Sequence, residues 1–392
     1  MHRTDVIICG AGVSGLLMAS ELSKSHSVVV LEKAQRAQCS NKFWLTRREC
    51  LEKNTELAAC VDSEWNALDF IANNRSKFTA TGEYVLWDTD KLEAHLIKTI
   101  EDNGSKIFYL HRFYAYDYTD NHILAYANNR TFRAALLIDC MGYSSPLVGS
   151  SGAVSMLGYH HLFGRTMLLK ADINPVAADY VLLSSVPSFL EVFPKSNGTA
   201  NVVLIAPAAT THSLDRLSKD FDFIVNGSHY SDVLSPLANA SPLYGIVPIG
   251  VVRKRALKRV LFYGEAGQTH PSASCTCLNK LLLGFREAAK RVSQRVESGK
   301  LSASDLEDVM PQMHNFTQRF HQNLFRQWGT LTADQGRAFV DLLRCIDQKS
   351  LDELIFGEIR LRHFFQIENW RNVARIRNTL WVRPLMRTLL NL

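Results

Sequence analysis

The first 33 residues contain the feature that most constrains the fold of this chain: a short strand, a glycine-rich turn, a helix and a second strand. Val6–Cys9 is an apolar run typical of a parallel strand that is buried on both faces. Gly10, Gly12 and Gly15 follow with the spacing G-x-G-x-x-G, and the second strand ends at Glu32. This order predicts a βαβ unit that binds a dinucleotide, within an α/β fold that has a parallel sheet.

Each glycine of this turn has its own predicted task. The first allows the tight turn, the second lets the backbone approach a pyrophosphate, and the third lets the helix pack on the strand. The N-terminal amides of the helix face the phosphates, and the acid that ends the second strand accepts a hydrogen bond from a ribose hydroxyl. A glycine-rich turn without a ligand is the alternative, and it leaves the acid at this distance unexplained. The residues predicted to bind the cofactor here are Gly10, Gly12, Val13, Ser14, Gly15, Glu32 and Lys33.

The length and composition are those of a globular protein with a substantial core. A chain of 392 residues forms two domains or one large domain with an inserted layer. No apolar run reaches the roughly 18 residues of a membrane span. Eight cysteines without an export signal favour free thiols in a reducing cytoplasm. The net charge of +6 comes with no nucleic-acid-binding motif, so we expect a cytoplasmic protein with a small-molecule partner.

The C-terminal tail is rich in arginine and has no acidic side chain after Glu368. Arginines interleaved with tryptophan and leucine predict either peripheral contact with an anionic membrane surface or a last helix that packs its apolar stripe on the body. Both interpretations stay open at this stage. The arginines concerned are Arg371, Arg375, Arg377, Arg383 and Arg387.

A second glycine-rich stretch, "GEAGQTHPSASC", occupies residues 264–275 after the strand-like run "RVLFY". NAD and FAD both use the N-terminal turn, but FAD reaches further, so its isoalloxazine needs residues that are distant in sequence. A strand over Ala134–Asp139 that runs into Cys-Met-Gly predicts another close approach of backbone to the cofactor. Pro271 predicts the start of a helix whose N-terminal partial charge suits a reduced, anionic flavin. The further residues predicted to bind the cofactor are Gly142, Gly264, Glu265, Ser274 and Cys275.

Two cysteines, Cys275 and Cys277, flank Thr276 in this region. No matching pair of cysteines or histidines at zinc spacing occurs elsewhere, so no metal site is predicted. The remaining alternatives are a catalytic thiol and small packing residues near a cofactor. His270 is a candidate catalytic residue that contacts the substrate at the flavin edge, with a structural role as its alternative.

The order of these pieces resembles a family of FAD-dependent enzymes that includes lycopene cyclases and geranylgeranyl reductases. The likeness runs in colinear order through most of the chain, and only the N-terminal motif is specific on its own. It implies a Rossmann-like FAD-binding domain that is discontinuous in sequence, an antiparallel β-sheet substrate domain and C-terminal helices. The segments similar to the family are "YGEAGQTHPSASC", "WDTDKLEAHLIKTIEDNGSKI" (87–107), "PSFLEVFPKSNGTANVVLIAPA" (187–208), "YGIVPIG" (244–250) and "DQGRAFVDLLRCIDQKSLDELIFGEIRLRHFF" (334–365).

The predicted domain boundaries follow from this resemblance and from the pattern of the middle segment. Residues 1–165 and 250–300 form the FAD-binding domain, and residues 301–392 form a C-terminal helical region. Residues 166–249 alternate polar and apolar positions in short runs, which is typical of an antiparallel sheet with one face toward a cavity.

One departure from the family concerns the acid that lycopene cyclases are implied to use in protonating a polyene. Their acidic pair falls, in an ungapped comparison, on Ala206 and Pro207 of this sequence. Glu191 on the preceding strand is the nearest replacement. Strand alternation places it on one face with Phe189 and Phe193, so burial against a cavity is expected to raise its pKa. Glu191 is therefore the predicted catalytic acid, and an exposed glutamate on the strand without such a role is the alternative.

The function predicted from these residues is an FAD-dependent enzyme that acts on an apolar isoprenoid or polyene substrate and cyclises it without net redox change. The alternative is an FAD-dependent oxidoreductase of secondary metabolism: a monooxygenase, a double-bond reductase or a halogenase. The Trp-x-Trp-x-Ile-Pro signature of flavin halogenases is missing. The cyclase is expected to use reduced flavin, with NAD(P)H as a candidate electron donor. A binding module without activity is a third hypothesis, which the intact first motif disfavours.

Overall fold

The computed structural model describes residues 1–37, 44–72, 76–183, 186–208, 213–227, 229–310, 313–329, 332, 340, 343–344 and 346–360. The strands are β1 (His2–Arg3), β2 (Val6–Cys9), β3 (Val28–Leu31), β4 (Leu45–Arg47), β5 (Val61–Ala72), β6 (Ser76–Trp87), β7 (Lys106–Phe108), β8 (Phe113–Tyr118), β9 (Ile123–Ala127), β10 (Arg130–Ala134), β11 (Leu136–Asp139), β12 (Val154–Leu169), β13 (Val176–Leu183), β14 (Val186–Pro194), β15 (Thr199–Ala208), β16 (Leu234–Pro236), β17 (Leu243–Val252), β18 (Ala256–Leu257) and β19 (Val260–Phe262). The helices are α1 (Val13–Leu22), α2 (Glu49–Glu52), α3 (Thr89–Asp102), α4 (Pro146–Ser151), α5 (Leu214–Gly227), α6 (Tyr230–Val233), α7 (Cys277–Ser298), α8 (Ala303–Leu306), α9 (Asn315–Trp328) and α10 (Gln348–Ile355), with 3₁₀ turns at Thr55–Cys60 and Gly142–Ser144.

A six-stranded sheet in the order β18-β19-β11-β2-β3-β7 carries the N-terminal motif. Its central pairs, β2 with β3 and β2 with β11, are parallel, as the sequence predicts. Both faces of β2 are buried: Val6 and Ile8 pack toward α1 and α7, and Ile7 and Cys9 pack toward the small sheet β1-β10-β9-β8. The mixed α/β architecture and the βαβ unit are therefore confirmed.

A second, larger sheet has the order β16-β12-β15-β14-β13-β5-β6-β4, with β17 also paired to β12. Its pairs are antiparallel except for β13 with β5. Helix α5 packs on one face, and α9 and α10 contribute to the apolar cluster on the other. The sheet includes β5 and β6, which lie outside residues 166–249, because the two long strands pair with each other and extend the sheet beyond β13. The predicted domain boundaries remain a prediction.

The C-terminal region is helical where the structure describes it, through α8, α9 and α10. Ser302 caps α8 in a capping box with Asp305. The arginine-rich tail from Arg371 to Arg387 lies outside the described residues. Among the helices that the structure describes, none has both the length and the apolar character needed to cross a bilayer.

Candidate functional site

The glycine-rich turn between β2 and α1 uses its three glycines for different reasons. Gly10 has a φ of +103°, and a Cβ there would lie 2.6 Å from the carbonyl oxygen of Cys140. A Cβ on Gly15 would lie 2.0 Å from the carbonyl oxygen of Gly10, so this glycine allows α1 to pack against the strand. Gly12 is different. Its φ of −75° and ψ of 175° suit any residue, and no heavy atom lies within 4 Å of a Cβ placed there. The protein itself therefore gives no reason for glycine at position 12.

Glu32, just beyond β3, holds the turn in place. Its carboxylate accepts one hydrogen bond from the Ala11 amide at 2.8 Å and another from the Ala34 amide at 2.9 Å. The side chain is buried, and the exposed Lys33 beside it donates to the Ser144 hydroxyl at 3.3 Å. A carboxylate oxygen has two lone pairs, so Glu32 retains acceptor capacity for a ribose hydroxyl. That contact remains a prediction.

The stretch after β19 meets the N-terminal turn, although 250 residues separate them in sequence. Gly264 has a φ of +65°, and a Cβ there would lie 2.4 Å from the Oγ of Ser14 in the first turn of α1. Gly142, after β11, has a φ of +60°, and its Cβ would lie 2.8 Å from the Oε2 of Glu265. The structure therefore brings these four residues, which the sequence predicts to bind the cofactor, to one place.

Asp139, at the end of β11, fixes the conformation of the chain around Gly142. It is fully buried, and its carboxylate accepts hydrogen bonds from the Met141 amide and the Ser145 hydroxyl. Burial raises its pKa to about 6. Asp139 was not among the predicted site residues, although its place at the end of a strand before a glycine indicates such a role.

His270 lies in the loop between Gly264 and Cys277. The side chain is buried, and its Nε2 is 3.0 Å from the carbonyl oxygen of Pro248 in β17. Gln268, two residues earlier, donates to the same carbonyl and accepts from the Gly250 amide. His270 is not among the residues that line the cavity described below. These contacts anchor the loop to β17, and a catalytic role for His270 remains a prediction.

The helix predicted to start after Pro271 begins later than expected, at Cys277. The cause is Cys275, whose φ of +55° is left-handed and incompatible with a helix. Thr276 is the N-cap and uses its hydroxyl on the Ile355 carbonyl of α10 rather than on the helix. The prediction of the start was therefore wrong by about six residues. The N-terminus of α7 still faces the cavity, through Thr276, Cys277 and Leu278.

Ser274 and Cys275 both line the cavity. Burial, followed by the nearby carboxylates of Glu265 and Glu191, holds the pKa of the Cys275 thiol well above its ordinary value. The thiolate is therefore disfavoured, which weighs against a nucleophilic thiol and for a packing residue. Among the residues that the structure describes, no cluster of histidine, cysteine and carboxylate side chains is arranged to hold a metal ion.

The cavity extends from Glu265 and Cys275 to the large sheet and has a volume of about 210 Å³. Its walls come from segments far apart in sequence: β4, β5, β12, β13, β14, β15, β17, the start of α7, and one face each of α9 and α10. Most of the lining is apolar. Its larger side chains are Trp44, Leu68, Phe70, Leu162, Phe189, Phe193, Tyr244, Leu324, Trp328, Leu351 and Phe356.

Glu191 lies in this apolar lining on β14, together with Phe189 and Phe193. The alternation predicted from the sequence thus places all three side chains on the cavity face. The side chain of Glu191 has no hydrogen bond among the described residues, and burial raises its pKa to about 8. On the neighbouring strand Val203 pairs with Glu191 and lines the same cavity, whereas Ala206 packs in the core on the opposite face. A carboxyl at position 206 would therefore not face this cavity.

Two buried histidines in the cavity wall were missed by sequence reasoning. His160 on β12 is 3.0 Å from the carbonyl oxygen of Ser272 through its Nε2, and burial lowers its pKa to about 4. His321 on α9 is 1% exposed, and burial lowers its pKa to about 3. The signal for the second was available in the sequence, because His321, Leu324 and Trp328 recur at helical spacing and share one helix face.

Comparison with known proteins agrees with the resemblance predicted from the sequence. The model of the lycopene cyclase protein family matches residues 5–199, just under half of the chain. No protein with a curated description matches.

Solved structures with the same fold include three enzymes or enzyme-like proteins, each with low sequence identity. A geranylgeranyl bacteriochlorophyll reductase-like protein from Thermoplasma acidophilum is 15% identical, with a TM-score of 0.73 over 96% of this chain and 98% of that one. A mutant of the halogenase PltM in complex with FAD is 13% identical, with a TM-score of 0.66 over 99% and 95%. The Diels-Alderase PyrE3 of pyrroindomycin biosynthesis is 16% identical, with a TM-score of 0.63 over 92% and 81%. The predicted flavoprotein fold is confirmed by these similarities.

Proposed function

We propose that this chain is an FAD-dependent enzyme that takes an apolar isoprenoid or polyene substrate and cyclises it by proton transfer without net redox change. The observation that carries the proposal is Glu191, a carboxyl with a raised pKa in an apolar cavity. Glu265 and Cys275, which are predicted to bind the cofactor, also line that cavity. The match to the lycopene cyclase family model over residues 5–199 supports it.

The residues present fit FAD. The open space beside Gly12 and the uncapped N-terminus of α1 suit a pyrophosphate, because backbone amides and the helix dipole favour an anion there. Glu32 has acceptor capacity for the ribose, and Gly142 and Glu265 would hold the flavin half at the cavity entrance. When bound, FAD supplies an electron-rich ring surface in its reduced form and redox capacity in either form.

Glu191 would act as a general acid. Because burial raises its pKa to about 8, a large share of the side chain is protonated at neutral pH and can transfer its proton to a carbon–carbon double bond. The resulting carbocation closes a ring by attack of a second double bond and then returns a proton to the Glu191 carboxylate, which regenerates the acid, so the product is an isomer of the substrate.

The cavity walls suit a cationic intermediate. Phe189 and Trp328 lie with ring centroids 4.6 Å apart, and aromatic faces stabilise a cation by about 0.5–2 kcal/mol each. The surrounding aliphatic side chains exclude water, which would otherwise capture the cation as an alcohol. The Cys275 thiol stays protonated and therefore does not compete as a nucleophile.

A redox reaction is the second candidate, because the fold is shared with a reductase-like protein and a halogenase. In that case the substrate gains or loses mass and an external donor such as NAD(P)H is consumed. The two candidates are separated by incubating the FAD-loaded protein with candidate polyenes, with oxidised and with reduced flavin. An isomeric product without consumption of NAD(P)H supports the cyclase, and a change of product mass supports the redox reaction.

Glu191→Gln tests the proton transfer directly. The variant keeps the shape of the side chain and removes the acid, so FAD binding should survive while turnover falls about 10²–10⁴-fold. In the wild type, turnover should fall as the pH rises through about 8, because the protonated form of Glu191 is then lost. Product formation is measured by chromatography and mass spectrometry.

Glu101→Gln is the matched control, since this exposed glutamate on α3 lies away from the cavity lining. Its turnover should equal that of the wild type. Unchanged turnover in Glu191→Gln would remove Glu191 from the mechanism and, with it, the main support for a cyclase.

A further inference from the structure

His321 is an unpaired polar group in the apolar cavity. It lies on the face of α9 that borders the cavity, together with Leu324 and Trp328. Its side chain is 1% exposed, and neither ring nitrogen has a hydrogen-bond partner among the described residues. A buried polar group without a partner costs free energy, about 1–3 kcal/mol for a neutral group. The folded protein therefore contains a polar position that a ligand can satisfy.

The surroundings of His321 define what kind of group fits. Burial keeps the imidazole neutral, so one ring nitrogen donates a hydrogen bond and the other accepts one. The charge of Lys280 also lowers the pKa of His321, and Lys280 forms an ion pair with Glu358 at 3.0 Å. Lys280 is therefore already paired and offers no free charge to a carboxylate ligand. A hydroxyl suits either tautomer of the histidine, because it both donates and accepts.

We infer that the substrate of this cavity is an apolar polyene that carries a hydroxyl group, and that His321 binds this hydroxyl. The inference rests on the proposed function, because it names the substrate class for the same cavity. A pure hydrocarbon substrate would leave both ring nitrogens of His321 without a hydrogen bond when bound. The hydroxyl group therefore distinguishes the inferred substrate from a hydrocarbon. His160, whose Nδ1 is also unpaired, lines the same cavity and packs against α9 through Phe325 and Trp328.

The test is a comparison of two ten-carbon terpenes, the alcohol geraniol and the hydrocarbon myrcene. Binding to the full chain as purified is measured by equilibrium dialysis with gas chromatography of free and bound ligand. In His321→Phe the affinity for geraniol should fall about tenfold relative to that for myrcene, since one neutral hydrogen bond is lost. His321→Gln keeps a donor and an acceptor and should retain part of the preference.

His95→Phe is the matched control, because it makes the same replacement on α3, away from the cavity lining. It should leave the ratio of the two affinities unchanged. An equal loss of both ligands in His321→Phe would indicate a packing role and overturn the inference. Failure of the wild type to bind geraniol would overturn it as well. Because this readout needs no turnover, a failure here is distinct from a failure of proton transfer by Glu191.

Discussion

At the scale of single residues, Gly12 and Glu191 are positions whose chemistry the packing of the described residues does not explain. Gly12 has ordinary backbone angles and open space beside it, which agrees with its predicted role in letting a ligand approach the backbone. Glu191 places an acid among aromatic and aliphatic side chains, where burial opposes its ionisation. Such departures from the requirements of packing are typical of functional sites.

Gly12→Val tests the cofactor site at this scale. A Cβ at this position has no heavy atom within 4 Å, so the free energy of unfolding should change little, but the valine side chain would occupy the space predicted for the pyrophosphate. We expect FAD stoichiometry, measured by absorbance of the purified protein, to fall below about a tenth of the wild-type value. Gly149→Ala in α4, which also faces open space, should retain full flavin content. Full yellow colour in Gly12→Val would contradict the assignment.

At the scale of elements, the contact between the loop after β19 and the first turn of α1 brings the predicted cofactor-binding residues together. The Gly264 backbone takes a left-handed conformation and passes directly over Ser14. The same loop continues through Gln268 and His270, both bonded to β17, to the N-terminus of α7. The loop from Gly264 to the start of α7 thus links the parallel sheet to the cavity wall.

Gly264→Ala should destabilise the protein by about 1–3 kcal/mol and weaken FAD binding, because it adds strain at φ +65° and a clash 2.4 Å from the Ser14 Oγ. Gly104→Ala is the control, since Gly104 has a similar φ of +75° but open space for a Cβ. Urea denaturation followed by circular dichroism gives the two free energies of unfolding. Equal losses in both variants would mean that backbone strain alone matters and that contact with Ser14 does not.

At the scale of the whole molecule, the cavity joins three parts of the chain: the large sheet, the start of α7 and the C-terminal helices α9 and α10. Substrates of the proposed class dissolve in membranes, which gives the arginine-rich tail a proposed role in delivery to an anionic surface. Deletion of residues 371–392 should then reduce sedimentation with vesicles that contain anionic lipid and spare FAD content. If the full-length protein does not sediment with such vesicles, the tail has no such role.

Local sequence determined the N-terminal βαβ unit and the face of β14 that carries Glu191. Both depend on short-range rules: glycines where backbone groups touch, apolar runs in buried strands, and alternation of side chains along a strand.

Three features depended instead on tertiary structure. The helix α7 starts at Cys277 because the backbone of Cys275 is left-handed, which no local sequence pattern indicates. The strands β5 and β6 belong to the large sheet because β5 pairs in parallel with β13, and no local pattern indicates this pairing. His321 is buried and has no hydrogen-bond partner in the part of the chain that the structure describes, because α9 packs this face over the cavity, and burial is a property of the assembled chain rather than of the residue.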